Sequence, residues 1–154
     1  MKIFIYLSLM CIAILFAGCP CGDYSIDILV KNEGYNTIVI ACGFEKYNNT
    51  YKMGSDTILN SHKGMYDFHI VAPNQVESVV GVFDDEIHDT VTLFFIDKAI
   101  YDNCSWDSIS NSNLINSRYV IPIQYYIDNY SAKNPLPYPL DNDIGDILIL
   151  NRSH

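Results

Sequence analysis

The sequence predicts a mainly β protein, a single β-sandwich of immunoglobulin-like or transthyretin-like form with one or two short helices. Its 12 tyrosines, many β-branched residues and few alanines favour strands over helices. Short apolar runs recur at intervals of about 8 to 12 residues with turn residues between them, a spacing typical of sandwiches and barrels. The strongest run, TVTLFFID at residues 90–97, is expected at the centre of a sheet.

The domain begins with two strand patterns separated by a turn. Alternating apolar residues at 26–30 predict the first strand, and the β-branched run 37–44 predicts the second. Residues 32–36 (NEGYN) are typical turn residues, so we expect the two strands to form a hairpin. The polar, tyrosine-rich residues 45–55 fit either a long loop or a weak edge strand.

Three further strands are predicted before the central one. They cover residues 57–59, 65–72 and 76–83. Gly64 and Pro73 lie in the breaks between them, and both residue types favour turns.

The character of the chain changes after the central strand. Asn103 or Ser105 can cap a short helix, residues 119–121 return to a strand pattern, and Pro122 suits the first position of another helical turn. The proline-rich residues 135–139 cannot continue a helix or a central strand, so we expect them to lie extended over the surface. Residues 147–150 fit an edge strand or an unpaired apolar tail.

The only tryptophan, Trp106, lies in the first of these helices. Ile109 follows at i+3 and therefore shares its helical face. We expect both side chains to be buried against the sheet around Leu93 and Phe95.

The amino terminus has the layout of a secretory signal. Lys2 is followed by the uncharged residues 3–17 and then by the small residue Gly18. This run is too short for a comfortable membrane span, which needs about 20 apolar residues. We therefore expect residues 1–18 to be a signal peptide, residues 19–24 a tether, and residues 25–154 the sandwich domain.

Cys19 directly follows LFAG at residues 15–18, an arrangement that resembles a bacterial lipobox. The resemblance implies lipidation of Cys19, cleavage before it, and acylation of the new amino terminus with fatty acids such as palmitate. Phe16 departs from the usual aliphatic residue, and an ordinary cleaved signal with an incidental cysteine is the alternative. Each buried CH₂ contributes about 0.8 kcal/mol, so several chains would anchor the protein permanently. Pro20, in place of the aspartate linked to inner-membrane retention, favours the outer membrane of a Gram-negative cell envelope.

The net charge of the chain limits the classes of partner that it can bind. The formal net charge is −9, and removing Lys2 with the signal makes it −10, eight Lys and Arg against eighteen Asp and Glu. An acidic surface excludes nucleic acid as a partner, because phosphates need basic patches. The membrane is therefore expected to be contacted through the lipid alone.

The cysteines of the mature chain allow one disulfide. Cys11 is lost with the signal and Cys19 is lipidated, which leaves Cys21, Cys42 and Cys104 with three possible pairings. Cys42 and Cys104 lie on predicted ordered elements, so we expect these two to be bridged. Zinc is the rival, but no C-x-x-C spacing occurs.

No catalytic or metal motif is present. The four histidines are scattered. Cys104 with any of them could be imagined as a nucleophile pair, but a cysteine next to a helix start is more often structural. The acidic residues 84–89 and 141–146 could hold a divalent cation but fit plain surface turns. We expect no cofactor and no metal.

The expected function is that of a non-enzymatic binding or structural module. A small envelope hydrolase is the alternative. The tyrosine-rich residues 47–51 and 125–130 could form an adaptable surface for a protein or glycan partner.

The second half of the chain carries an ordered set of motifs: DTV-x-LFF from Asp89, CSWD-x-I from Cys104, Arg118-Tyr119 and Tyr138-Pro139. Together they resemble a family of small lipoproteins of the Bacteroides group that has no established activity. The resemblance implies an envelope location and a β-rich fold. The chain departs from the family by lacking an Asn-Trp pair shortly before Tyr-Pro and by extending through residues 140–154.

Three triplets resemble the Asp-Ser/Thr-apolar acceptor for envelope O-glycosylation in the same bacterial group. The resemblance implies a glycan on at least one of Thr57, Thr90 and Ser108, with Thr57 preferred. An aspartate before a β-branched residue also simply marks the start of a strand, which is the structural alternative.

Overall fold

A computed structural model describes residues 26–47, 50–53, 63, 66–82, 90–111, 114–140, 145 and 147–151. The strands are β1 (Ile26–Asn32), β2 (Ile38–Tyr47), β3 (Thr50–Met53), β4 (Tyr66–Val71), β5 (Val76–Val82), β6 (Thr90–Asp97), β7 (Ser117–Pro122), β8 (Leu136–Tyr138) and β9 (Leu148–Asn151). The helices are α1 (Lys98–Asn103), α2 (Trp106–Asn111) and α3 (Ile123–Asn129). The described part of the chain is therefore mainly β, as predicted.

The strands form two sheets. The smaller sheet has the order β5-β1-β8, with β1 and β8 parallel. The larger sheet has the order β3-β2-β6-β7-β9, and β4 also pairs with β2. All pairs in the larger sheet are antiparallel. The central position predicted for residues 90–97 is confirmed, because β6 lies between β2 and β7.

One core fills the space between the two sheets. Its fully buried members include Ile28, Val30 and Leu136 from the smaller sheet and Ile40, Leu93 and Phe95 from the larger one. Because both sheets contribute to the same cluster, they pack in a sandwich-like arrangement. The finer choice between an immunoglobulin-like and a transthyretin-like form stays a prediction.

The larger sheet is covered on both faces. We call the face toward the smaller sheet the inner face and the opposite one the outer face. On the outer face Val39, Phe94 and Ile96 form a second cluster with Ile109 of α2. Strand β6 is therefore buried on both sides, which explains why its sequence is continuously apolar and does not alternate.

The first two strands do not form the predicted hairpin, since β1 belongs to the smaller sheet and β2 to the larger one. Asn32 at the end of β1 is fully buried, and its side chain accepts from Gly34 N (3.0 Å) and donates to the carbonyl of Val71 (2.9 Å). These bonds fix the turn after β1 against the end of β4, at the point where the chain passes from the smaller sheet to the larger one.

Two of the weaker strand patterns lie at sheet edges. Residues 50–53 form edge strand β3, and residues 148–151 form β9 on the edge beside β7, so the edge-strand alternatives are confirmed. The prediction for residues 135–139 is wrong in one respect. Leu136 and Tyr138 are buried in the core as part of β8, while Pro137 sits on an edge strand, where proline is tolerated.

The described residues form three helices, one more than the upper limit predicted. The missed helix, α1, starts where Asp97 accepts a hydrogen bond from Ala99 N at 2.8 Å. Ser105, and not Asn103, caps α2, because its hydroxyl oxygen accepts from Ser108 N at 3.2 Å. The predicted strand at 57–59 lies outside the described residues. None of these three helices is long and apolar enough to cross a membrane.

Candidate binding surface on the outer face of the larger sheet

Five aromatic rings meet on the outer face. Tyr66 and Phe68 come from β4, Phe94 from β6, Tyr101 from α1 and Trp106 from α2. We call this group the outer aromatic cluster. Tyr66 and Phe68 reach the same face because residues two apart in a strand point the same way.

The rings contact one another at tilted or edge-on angles. The Trp106 ring centroid lies 5.3 Å from that of Phe68 and 5.6 Å from that of Tyr66. Tyr66 meets Phe94 edge-on at 5.9 Å, and Phe68 lies 5.4 Å from Tyr101. These are favourable aromatic geometries. Phe94 is 1% exposed, whereas the other four rings are only half-buried, so the cluster offers aromatic surface to solvent.

Trp106 is therefore not the buried lock that the sequence suggested. Leu93 and Phe95 point into the core between the sheets, and the intervening Phe94 points to the outer face where α2 lies. Ile109 is the buried residue of α2, at 1% exposure, and Trp106 packs beside it against β4. The helix is held by Ile109, and Trp106 forms part of the surface.

A cation rests on one side of the outer aromatic cluster. The ammonium of Lys63 lies 4.6 Å from the ring centroid of Tyr101 and 5.3 Å from that of Phe68. Both distances fall within the range of a cation–π interaction. Among the ion pairs of the described residues Lys63 has no acidic partner.

Arg118 lies on the other side of the cluster. It is directly opposite Phe94 in the pairing of β6 with β7, so its side chain belongs to the outer face. The side chain is half-buried, and its Nε is buried without a hydrogen-bond partner among the described residues. Thr92, two residues before Phe94, is fully buried on the same face and its hydroxyl also lacks a partner there. Two buried polar groups on this half of the outer face therefore lack hydrogen-bond partners among the described residues.

The disulfide predicted between Cys42 and Cys104 is not formed, and both thiols are free. Cys42 packs in the core between the sheets, whereas Cys104 packs with the outer cluster, so the larger sheet separates them. The reason is the alternation of β2, which turns Ala41 outward and Cys42 inward. Burial, and then the nearby charge of Asp67, raises the pKa of Cys42 to about 12, which makes it an unreactive core residue.

Of the predicted pairs of Cys104 with a histidine, the one with His69 falls within the described residues, and it is not assembled. His69 lies at the edge of the core side, with its Nδ1 4.0 Å from a carboxylate oxygen of Glu77. Cys104 is on the outer face of the same sheet. Within the described ranges, no group of three or more His, Cys, Asp or Glu side chains could hold a metal ion.

The predicted modification sites are placed only in part. Ser108 is exposed on α2, with its hydroxyl 2.8 Å from that of Ser105. Thr90 is half-buried at the start of β6. Cys19 and Thr57 lie outside the described residues, as do the acidic residues 84–89 and most of 141–146. Glycosylation of Thr57, Thr90 or Ser108 and lipidation of Cys19 stay predictions.

Of the three tyrosines in residues 125–130, Tyr125 and Tyr130 are half-buried, and Tyr126 is not available as a binding surface. Tyr126 is buried in the core, its hydroxyl accepts from Leu29 N at 2.8 Å, and the same hydroxyl donates to the Asp27 carbonyl at 3.2 Å. Strand β8 pairs with β1 only from Val30 onward, so the hydroxyl satisfies the part of the β1 edge that β8 does not reach. The tyrosines nearer the amino terminus, at 47 and 51, have no described side chains.

Sequence reasoning missed the outer aromatic cluster and Arg118. The alternation of Tyr66, Phe68 and Ile70 was a usable signal, because it marks an apolar outer face on a strand whose inner face carries the polar residues Asp67 and His69 before the buried Val71. Nothing local to Arg118 indicates that it lacks an acidic partner.

A scan against protein-family models, a search of curated proteins and a search of solved structures each found no match. The resemblance to lipoproteins of the Bacteroides group therefore stays a prediction.

Proposed function

We propose that this chain is a lipid-anchored protein of the cell envelope whose domain is a non-enzymatic glycan-binding module, with the outer aromatic cluster as its binding surface. The observation that carries the proposal is the group of four half-buried rings gathered on one face by β4, α1 and α2. A mature chain attached through Cys19 would present this domain at the outer membrane.

The chemistry of the surface favours a glycan. Aromatic rings give a large contact area with little loss of conformational freedom. The apolar faces of sugar rings can pack on them while sugar hydroxyls bond to polar groups at the rim. Such groups are present: Asp102, Ser105 and Asp107 are exposed on α1, α2 and the link between them. A few polar groups around an apolar surface are typical of ligand sites.

Trp106 makes the proposal directly testable, because it is the only tryptophan and lies within the cluster. Detergent-solubilised full-length protein is titrated with a panel of neutral and charged oligosaccharides while Trp106 fluorescence is followed. We expect at least one glycan to shift the emission saturably. Phe68→Ala should weaken that binding, whereas Tyr35→Ala should leave it unchanged, because Tyr35 is fully exposed on a separate turn. Equal effects of the two variants would contradict the proposed surface.

The anchor has its own test. Cys19→Ala should leave the precursor unlipidated and move the protein out of the membrane fraction on cell fractionation. Membrane retention of the variant equal to that of the wild type would contradict lipidation at Cys19, and Cys21→Ala serves as the matched control.

A further inference from the structure

We infer that the glycan bound by the outer aromatic cluster is acidic, and that Arg118 binds its anionic group, a carboxylate or a sulfate. The inference rests on the proposed function and goes beyond it by naming the charge of the ligand and the residue that reads it.

The first support is the pairing of the basic side chains. The chain holds eighteen acidic residues against nine Lys and Arg. Among the described residues Lys31 pairs with Glu33 at 2.7 Å, and Lys98 pairs with Asp102. Lys63 and Arg118, the two basic residues beside the outer aromatic cluster, have no such partner there, and neither does Lys133, which lies elsewhere. The face with the cluster therefore carries two cations without an ion pair.

The second support is the state of the Arg118 side chain. Its Nε is buried without a hydrogen-bond partner among the described residues, which is unfavourable for a polar group. The side chain as a whole is only half-buried, so a ligand can approach its exposed part. A planar guanidinium binds carboxylates through two parallel N–H···O bonds, and such charge-assisted bonds are about twice as strong as neutral ones.

The third support is position. Arg118 is opposite Phe94, and Phe94 contacts Tyr66 edge-on at 5.9 Å. Arg118 is thus beside the buried member of the cluster and on the same face of the sheet as the exposed rings. A glycan that packed on Tyr66 and Trp106 and extended toward β7 would reach it. Lys63 on the far side adds a second positive charge to the same surface.

The test compares matched ligands and matched variants of the full-length protein in detergent. The ligands are an oligogalacturonate, the same oligosaccharide as its neutral methyl ester, and a sulfated galactan oligosaccharide. Binding is followed through Trp106 fluorescence and calorimetry at two salt concentrations. We expect the Kd of the acidic ligand to be at least about tenfold lower than that of the ester, since 1.4 kcal/mol is one factor of ten. We also expect it to rise with salt.

The variants assign the effect. Arg118→Gln should lose at least about tenfold in affinity for the acidic ligand, within the range of a charge-assisted bond, and none for the ester. Arg118→Lys should fall between the two, since it keeps the charge without the planar fork. Lys133→Gln, which removes an exposed cation elsewhere, should bind as the wild type does. Melting temperatures establish that each variant is folded.

Three results would overturn the inference. Equal affinity for the acid and the ester would show that the negative charge of the ligand does not contribute to binding. The proposed glycan-binding surface would then stand, but without a site for an anionic group. Equal losses for Arg118→Gln and Lys133→Gln would remove Arg118 from recognition and leave only a general charge effect. No response to any of the three ligands or to the neutral panel would overturn both the inference and the proposed function. A preference between the carboxylated and sulfated ligands identifies which anionic group is bound.

Discussion

The two faces of the larger sheet use aromatic residues in opposite ways. On the inner face Phe95 stacks on Tyr138 at 4.3 Å and contacts Tyr119 at 4.4 Å, and all three rings are buried. On the outer face Tyr66 and Trp106 contact each other but remain half-buried. The same residue types therefore close a core on one side and form an open surface on the other.

Polar groups are only partly paired on both faces. On the inner face the Tyr119 hydroxyl accepts from Leu140 N at 2.7 Å and the Tyr126 hydroxyl bonds to the edge of β1. The Oγ of Ser117, opposite Phe95 on the same face, is buried without a partner among the described residues. On the outer face the Nε of Arg118 and the hydroxyl of Thr92 are in the same state. The two faces therefore differ in the exposure of their aromatic rings, and not in how completely their polar groups are paired.

The largest expected effect is on the inner face. Phe95→Ala should lower the free energy of unfolding by about 3 to 5 kcal/mol, because it removes a fully buried ring and leaves a cavity. Trp106→Ala should cost only about half as much, since its ring is half-buried. Urea denaturation followed by circular dichroism measures both. Equal losses would mean that the outer face is as structural as the inner one.

Tyr126→Phe should have a smaller effect. Losing the hydroxyl leaves the Leu29 N–H and the Asp27 carbonyl without their bond, at a cost of about 1 to 3 kcal/mol. Tyr35→Phe makes the same chemical change on a fully exposed side chain and should be neutral in the same urea titration. If the two variants were equally stable, the hydroxyl of Tyr126 would not hold the β1 edge.

The smallest effect is a dependence on alkaline pH. Burial raises the pKa of Tyr119 and Tyr138 above the ordinary value of about 10. The unfolded chain loses these protons first, so it binds fewer protons than the folded chain above pH 10. The free energy of unfolding should therefore fall as pH rises beyond about 10.

Urea titrations from pH 8 to 11 measure this slope. Tyr119→Phe should flatten the slope, while Tyr35→Phe should preserve it, because Tyr35 is fully exposed. A Tyr119→Phe slope equal to that of the wild type would contradict the role given to burial of that hydroxyl.

Most strands could be predicted because their signals are local. Residues 26–30 alternate, and residues 90–97 form an unbroken apolar run, and both patterns survive in β1 and β6. The pairing of strands was not local. The predicted hairpin of β1 and β2 is wrong because β1 pairs with β5 and β8, strands that lie far from it in sequence, and the Asn32 side chain bonds to Val71, 39 residues away.

The candidate site was harder to predict for the same reason. Trp106 was identified as important, but its degree of burial depends on Tyr66 and Phe68 from a distant strand. The predicted Cys42–Cys104 bridge is wrong because the two cysteines lie on opposite faces of the larger sheet. A shift of one residue along β2 moves a side chain from one face to the other, and the sequence alone does not fix that position. Arg118 stands out only once the pairing of other charges is known.

The central claim, that the outer face is open while the inner face is closed, is tested most directly by quenching Trp106 fluorescence with acrylamide in the native full-length protein. Trp106 is the only tryptophan, so its signal reports the outer aromatic cluster alone. The structure predicts a native quenching constant that is a substantial fraction of the value in urea-unfolded protein, and a reduced constant when ligand binds. A native constant near zero without ligand would show that Trp106 is sealed from solvent and would contradict the account.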